Sequence, residues 1–524
     1  MNDNNNQYNP SGYNYPPQPG RAPTYGYGQP PQPGGAPTYG YGQPPKPGGA
    51  PTYGYGLLSE QYPEATPYYG DLNIPPAEGK PLYSQQETEE EPNLKRFVKQ
   101  GYKDVWAACV FLILFFVPLV WGVVNIITFT PISPDENDPT VSGRSTLNMS
   151  ELIHRIIIVA ISSGVSAVLA LFLIYLMKCL PKQFIYIANL LNSALFAAVA
   201  VFCATQRVWP LCVIMALFCV ISLAFLYCAR KRIPFAAALL GSSARVILRY
   251  KAIFLINILT IITFFVYTVV GFFMMIPSID RAYHRRKGKG DVAIILIFIF
   301  IYYWASQVFD NVLHVTASGL VATWYFAGFG NMPSNPTLAA FTRAMTTSFG
   351  SICFGSLLVA IIEFIRSLVD SSGREDSFLA CILDCILGCI EMILEYFNTY
   401  AFVHVAIYGC GYIEAAKRTF ELFSQCICKA LFNDCLVNPT LVISSFCLSL
   451  VLGIASGLID WNLATGIIAF LMSLCISTIL FSPIRSAVVT IFVCFADAPE
   501  ALERSDPSLY QKIRDADAER NQSS

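Results

Sequence analysis

In this chain of 524 residues 54% are hydrophobic and only 13% are charged, against roughly 25% charged in soluble domains, which excludes an ordinary water-soluble globule. A formal net charge of −1 leaves no bulk field to attract a polyanion, so no nucleic-acid partner is expected. Long apolar runs predict an all-α polytopic membrane protein of about ten transmembrane helices behind a disordered N-terminal cytosolic tail.

Residues 1–103 are read as that tail. The unit APTYGYGQPPxPGG begins at Ala22, recurs at Ala36 and fades after Ala50. Gly and Pro at this density cannot build a packed core. Three PxxP steps, Pro16–Pro19, Pro30–Pro33 and Pro44–Pro47, could dock an SH3-type partner, although a plain solvated tail is the favoured reading. The acidic run Glu87, Glu89, Glu90 and Glu91 reads as solvation.

Residues 104–496 are expected to hold the membrane domain, and 497–524 a short cytosolic C-terminal tail. No signal peptide is visible; the first apolar run starts near Val105 and acts as the first span, 105–127. Lys95, Arg96, Lys99 and Lys103 precede it, which places the N-terminus in the cytosol. Residues 128–151 then lie outside, and they contain the glycosylation sequon Asn148-Met149-Ser150. The further spans read as 153–177, 184–204, 209–228, 252–276, 291–325, 347–368, 377–408, 438–458 and 465–494. Most cytosolic loops are basic, whereas 277–290 is basic yet assigned outside, outvoted by the other loops. Between the fourth and fifth spans, PFAAALLGSSARVILRY, opening at Pro234, reads as an interfacial helix.

Two spans carry polar lines. In the eighth, Asp384, Glu391 and Glu395 lie near one face, followed by Tyr396, Phe397 and Tyr400. Carboxylates at membrane depth mark a binding site or pathway, and beside aromatic rings they suit an organic cation. Asp384 and Glu395 equally fit protein or headgroup contacts near the span ends. In the sixth, Tyr303, Gln307, Asp310 and His314 share a face among Tyr302, Trp304, Trp324 and Tyr325. His314 fits either proton relay or an interhelical hydrogen bond. Ser351 and Gly355 form a small-xxx-small step for close helix approach, and Glu363 and Arg366 are spaced to pair with one another. Arg485 follows the kink residue Pro483, which frees backbone carbonyls for a partner. His404 is a further polar group inside a span. Cys381, Cys385 and Cys389 recur on one helix face and read as packing residues ahead of a metal site. The 17 cysteines fall in spans or on the cytosolic side, against a disulfide framework. No phosphate loop, H-E-x-x-H or G-x-S-x-G motif occurs, and no cofactor or metal is expected.

The stretches PKQFIY (181–186), NVLHVTASGLVATWYF (311–326), TRAMTTSFGSICFGSLLVAIIEFIR (342–366), YFNTYAFVHVAIYG (396–409) and SPIRSAVVTIFVCFADAPEAL (482–502) together resemble the choline transporter-like family, solute carrier family 44, especially its fungal branch, the pH-nine-sensitive proteins. The resemblance covers roughly residues 100–505 and implies ten spans, cytosolic termini and a glycosylated first outer loop. Animal members look like choline and ethanolamine carriers with a long, Cys-bearing outer loop; here that loop is short and lacks Cys. The Glu391 region aligns with an acidic position ahead of the FN-x-x-A motif.

The resulting expectation is a plasma-membrane transporter of a small organic, choline-like cation, working by alternating access or facilitated diffusion. Glu391 balances the charge; Tyr396, Tyr400, Trp304 and Tyr303 are the cage walls; Asp310 and His314 are gating or proton-coupling groups. A non-transporting sensor or scaffold and an intramembrane lipid enzyme are the other classes. The topology is checked by tagging residues 133–140: the expected outcome is labelling from outside with glycan on Asn148, and a cytosolic signal overturns the assignment.

Overall fold

The computed structural model describes residues 101–128, 149–285, 289–371 and 378–521. The N-terminal repeat, the sequon at Asn148 and the basic residues Arg286 and Lys287 lie outside them. Among the described residues the regular elements are fourteen helices and no strand. They are α1 (Val105–Thr128), α2 (Met149–Cys179), α3 (Pro181–Thr205), α4 (Trp209–Ala229), α5 (Ile233–Arg249), α6 (Ala252–Arg285) and α7 (Lys289–Ala327). After these come α8 (Pro336–Met345), α9 (Phe349–Ser371), α10 (Phe378–Tyr408), α11 (Tyr412–Asp460), α12 (Leu463–Asp497), α13 (Pro499–Ser505) and α14 (Pro507–Asn521).

Nine of them, α2, α3, α4, α6, α7, α9, α10, α11 and α12, are long and apolar enough over the described residues to cross a membrane. Helix α1 adds a shorter apolar stretch, Val105–Val117, within 24 helical residues. The all-α, multi-span class predicted from hydropathy is the fold observed. Its outward faces are apolar, as a bilayer solvent demands: Ile113, Val168, Val213, Phe265 and Val451 are all exposed.

Several helices outrun the hydrocarbon layer. Helix α11 has 49 residues, about 73 Å at 1.5 Å each, more than twice a bilayer core of roughly 30 Å. The sequence reading started this span at 438, just before Pro439. The helix instead runs through Pro439, and Asn189 of α3 donates to the Leu436 carbonyl (3.4 Å) and the Thr440 hydroxyl (3.1 Å) beside it. Helix α12 likewise runs through Pro483. Proline removes the hydrogen bond to the carbonyl four residues back, here Ile479, and Asn257 of α6 donates to that oxygen at 3.4 Å. The partner of the carbonyl that Pro483 frees is therefore an asparagine amide.

Helix α5 forms with its proline in the first turn, as the sequence implied. It does not lie on a lipid surface. Ala236, Leu240, Ala244 and Ile247 are buried, and the helix is wedged among α2, α3, α12 and α14. Its small Ala/Gly/Ser face lets neighbours close in: a Cβ at Gly241 would sit 3.1 Å from Pro181. The chain after α12 is also docked. Leu502, Leu509 and Ile513 are buried, Arg245 of α5 pairs with Asp506 at 3.2 Å, and the Tyr325 hydroxyl donates to the Ala498 carbonyl at 3.0 Å.

One carboxylate ties three helix ends together. Asp104, in a left-handed conformation (φ 48°), turns its side chain away from α1. Its Oδ2 accepts from the Ser351 hydroxyl of α9 (2.7 Å) and from the first backbone N–H of α11, Tyr412 (2.8 Å). That caps α11 from outside its own strand of chain, because Gly411 offers no side chain. Gly350 makes the approach possible, since a Cβ there would run into the Lys103 and Asp104 carbonyl oxygens. At the opposite end, Arg155 of α2 pairs with Asp460 of α11 at 3.4 Å. Both meetings join helix ends that the charge pattern had assigned to a common side.

Asp104→Ala is expected to lower the melting temperature in detergent, with a cost of about 1–2 kcal/mol for the lost cap. Asp104→Asn, which keeps an accepting oxygen, should cost much less; equal melting of all three forms would show that the cap contributes nothing.

Candidate functional site

The polar face of α10 meets α9 and α7 within their apolar spans. Arg366 of α9 reaches across, its Nε 2.6 Å from Asp384 Oδ1 and its Nη1 3.1 Å from Glu391 Oε2. The i,i+3 pairing of Glu363 with Arg366 does not form. Glu363 instead accepts from the Gln307 amide of α7 at 2.9 Å, and the same amide approaches Glu395 at 3.4 Å. Glu363, Glu391 and Glu395 each offer a carboxylate oxygen, and the three lie within 4.8 Å of one another. The second Glu363 oxygen is buried with no hydrogen-bond partner among the described residues. Two carboxylates thus pair with one guanidinium, and Glu363 and Glu395 stand beside Glu391. Such an oxygen-only set suits a hard cation or an ammonium group.

One turn along α10 lies a second cluster. Tyr396 donates to the Tyr400 hydroxyl (3.5 Å), and Tyr400 donates to Asp434 Oδ2 of α11 at 2.6 Å. Phe423 stacks on Tyr396 (5.7 Å) and meets Tyr400 edge-on (4.9 Å), with Phe492 edge-on from α12 at 6.3 Å. Asp434 and its neighbour Asn433 are both buried. The carboxylate is held by a tyrosine hydroxyl inside an aromatic group, and negative charge beside aromatic rings is what attracts an organic cation.

The α7 line divides between roles. His314 is buried with both ring nitrogens engaged: Nε2 lies 2.8 Å from the Thr399 carbonyl of α10 and Nδ1 2.8 Å from the Ser486 hydroxyl of α12. A carbonyl can only accept, so Nε2 carries the proton and Nδ1 accepts from Ser486. This is the interhelical bond that was one of the two sequence readings. Asp310 is exposed and stands 4.0 Å from Arg485 of α12. Trp304 is buried, its indole N–H donating to the Cys353 carbonyl of α9 at 3.0 Å while Phe111 meets its ring edge-on. Tyr303 is half-buried and touches Tyr302 edge-on at 6.2 Å. Glu391, Glu395, Tyr396 and Tyr400 are thus brought to one region, while Trp304 braces α7 against α9. Cys385 and Cys389 are exposed, so neither packs the core.

Asp434 was missed because residues 409–437 read as a cytosolic loop. The available signal was the asparagine–aspartate pair three turns after an aromatic, Phe423, within an otherwise helical pattern. Glu363 was noticed only as a partner for Arg366.

The sequence profile described as plasma-membrane choline transporter matches residues 213–500, which includes every residue of both clusters. A CTL-like protein of Dictyostelium discoideum is 32% identical over 356 residues, 65% of this chain and 63% of that protein. Protein PNS1 of Gibberella zeae is 28% identical over 468 residues, 84% of this chain and 86% of its own. Protein PNS1 of Neurospora crassa is 29% identical over 446 residues, 79% and 80% of the two chains.

Removing the Tyr400 hydroxyl leaves a buried carboxylate short of its closest donor. Tyr400→Phe is expected to destabilise the fold by about 1–3 kcal/mol, and Asp434→Asn in the same chain to restore part of the loss. Thermal unfolding of the single and double variants measures this; strictly additive effects would mean that the two side chains do not interact.

Proposed function

The chain belongs to the family of plasma-membrane choline transporters, and we propose that it moves a small organic cation, choline-like, across the plasma membrane by alternating access. The observation that carries this reading is the surplus of negative charge on α9 and α10. Arg366 answers Asp384 and Glu391, whereas Glu363 and Glu395 meet the neutral amide of Gln307. Uncompensated carboxylates at bilayer depth are costly and are retained where a cation or proton passes. Aromatic rings and a second buried carboxylate, Asp434, lie about one helical turn further along α10, on its face towards α11.

In this reading Glu391, Glu363 and Glu395 supply the field and Tyr396 and Tyr400 the ring faces. Arg366 holds the carboxylates in place when no substrate is bound. Tyr303 borders the site on α7 and Trp304 supports that helix from behind. Asp310 with Arg485, and His314 with Thr399 and Ser486, link α7 to its neighbours and act as the gating groups that break and remake as the helices rock. Both termini lie in the cytosol. The bilayer and the substrate are the partners required; the PxxP steps of the tail serve an SH3-type domain. No covalent chemistry is involved.

Uptake of labelled choline into proteoliposomes tests the reading. The wild-type chain should accumulate label above protein-free vesicles. Glu391→Gln should weaken apparent affinity roughly ten- to hundredfold, or about 1.4–2.8 kcal/mol, while folding persists. Tyr396→Ala should cost about 0.5–2 kcal/mol. No uptake of any quaternary or primary amine by folded wild-type protein would sink transport and favour a scaffold; unchanged affinity in Glu391→Gln would remove that residue from the site.

A further inference from the structure

Away from the carboxylates, α1, α6, α7 and α8 enclose a cavity of about 380 Å³ that the transport reading does not use. Its walls include Phe115 of α1, Phe309 of α7 and Phe341 of α8, with Val308 and Val312 at its back. The only hydroxyls lining it are those of Thr260 and Thr263 of α6, and Thr263 already donates to the Leu259 carbonyl at 2.9 Å. A cation finds no counter-charge here, and a cavity so lined stays dry.

The cavity opens sideways. Val308 and Val312 at its back are 2% exposed, whereas Phe116 and Leu259 at its rim are each 54% exposed, on helices that face the hydrocarbon layer. The material available at such an opening is lipid chain. A water takes about 30 Å³ of liquid, and a methylene occupies a similar space, so the cavity accepts on the order of a dozen chain carbons. Charge complementarity identifies the end at which a headgroup sits. Lys251, exposed, precedes the lining residue Ile256 by five residues, about 7.5 Å of helix. Lys103 precedes Phe111 by eight, about 12 Å. Both stand at the same end of the cavity, where α1 and α6 begin, and Arg249 is exposed beside Lys251.

We propose that this cavity binds one acyl chain of a glycerophospholipid from the leaflet on the Lys103 side, with the lipid phosphate held by Lys251 and Lys103. The occupied cavity fixes α1, α6 and α8 against the moving face of α7, so the lipid is a bound structural ligand distinct from the transported cation.

The test uses the full chain in nanodiscs containing phosphatidylglycerol with a photoactivatable diazirine midway along one acyl chain. Peptide mass spectrometry then locates adducts after irradiation. Val308 and Val312 are buried from surrounding lipid, so adducts on them report a chain inside the cavity; Val213 and Val220 on α4 report ordinary lipid contact. The expected result is labelling at Val308 or Val312 that unlabelled lipid competes away. Thr260→Trp, which fills the cavity from α6, should reduce that labelling at least fivefold with α4 labelling unchanged, and Lys251→Ala should reduce it severalfold. Val312→Phe fills the cavity from α7 and replaces Thr260→Trp if the latter does not fold, with Val308 then read. Adducts confined to α4 and other lipid-facing positions, or cavity labelling unaffected by either filling substitution, would overturn the proposal.

Discussion

A guanidinium shared by two carboxylates between apolar helices is the interaction around which this bundle is arranged. Arg366 bridges α9 to α10 through Asp384 and Glu391. Neither helix could present that face to lipid, because each unpaired charge there costs several kcal/mol. The faces must therefore turn towards each other, and Gln307 draws α7 into the same contact. Once α7, α9 and α10 are fixed, the remaining polar groups fall into register. Asn398 of α10 donates to the Gly355 carbonyl of α9 at 3.0 Å and accepts from the Tyr412 hydroxyl of α11. Gly355 is required where it stands: a Cβ would lie 2.5 Å from the Tyr412 ring and 2.6 Å from Phe402. The small-xxx-small step on α9 thus admits aromatic rings at Gly355, and at Ser351 it serves the Asp104 carboxylate.

The proline positions bear on how such a bundle moves. In many transporters the site is built where a helix is broken and its backbone bared. Here α11 and α12 carry prolines mid-helix yet continue through them, and in each case an asparagine from another helix, Asn189 or Asn257, supplies a donor at the weakened turn. Backbone groups engaged in this way are not offered to a substrate, so on the proposed transport reading recognition would fall to side chains, and motion would proceed by helices rocking as bodies, with side-chain contacts such as Asp310 with Arg485 changing.

Much of this was legible in the chain itself. Hydropathy located the apolar stretches, because lipid-facing positions are apolar whatever their neighbours, but not how far α6 and α11 extend beyond them. The face shared by Asp384, Glu391 and Glu395 followed from helical periodicity alone. Asp434 was not legible for a local reason: Asn433, Asp434 and Pro439 lower the hydropathy of a window and mimic a loop, although α3 stabilises a continuous helix there. The setting of α5 was hidden differently. An Ala-rich stripe with arginines at one end reads identically whether lipid or protein covers it, and only tertiary packing decides. The partner of Arg366 depended on which face of α10 was opposite, which spacing within α9 cannot encode.

The two clusters differ in what they can recognise, and the difference follows from hydrogen bonding. A primary ammonium carries three N–H donors and can satisfy several carboxylate oxygens at once, as Glu363, Glu391 and Glu395 require. A quaternary ammonium has none. It gains from a carboxylate only through charge, and it gains more from ring faces, which ask for no donor. The carboxylates at Glu363 and Glu391 therefore favour a donor-bearing amine, whereas Tyr396, Tyr400 and Phe423 around Asp434 favour a methylated one. Glu395 and Tyr396 are adjacent on α10 and project about 100° apart, one towards each cluster. On the transport reading proposed above, a choline-like cation would sit between the two clusters, its charge felt by carboxylates on both sides and its methyl groups against the rings, whereas a primary amine, with donors to spend, would be drawn towards Glu363.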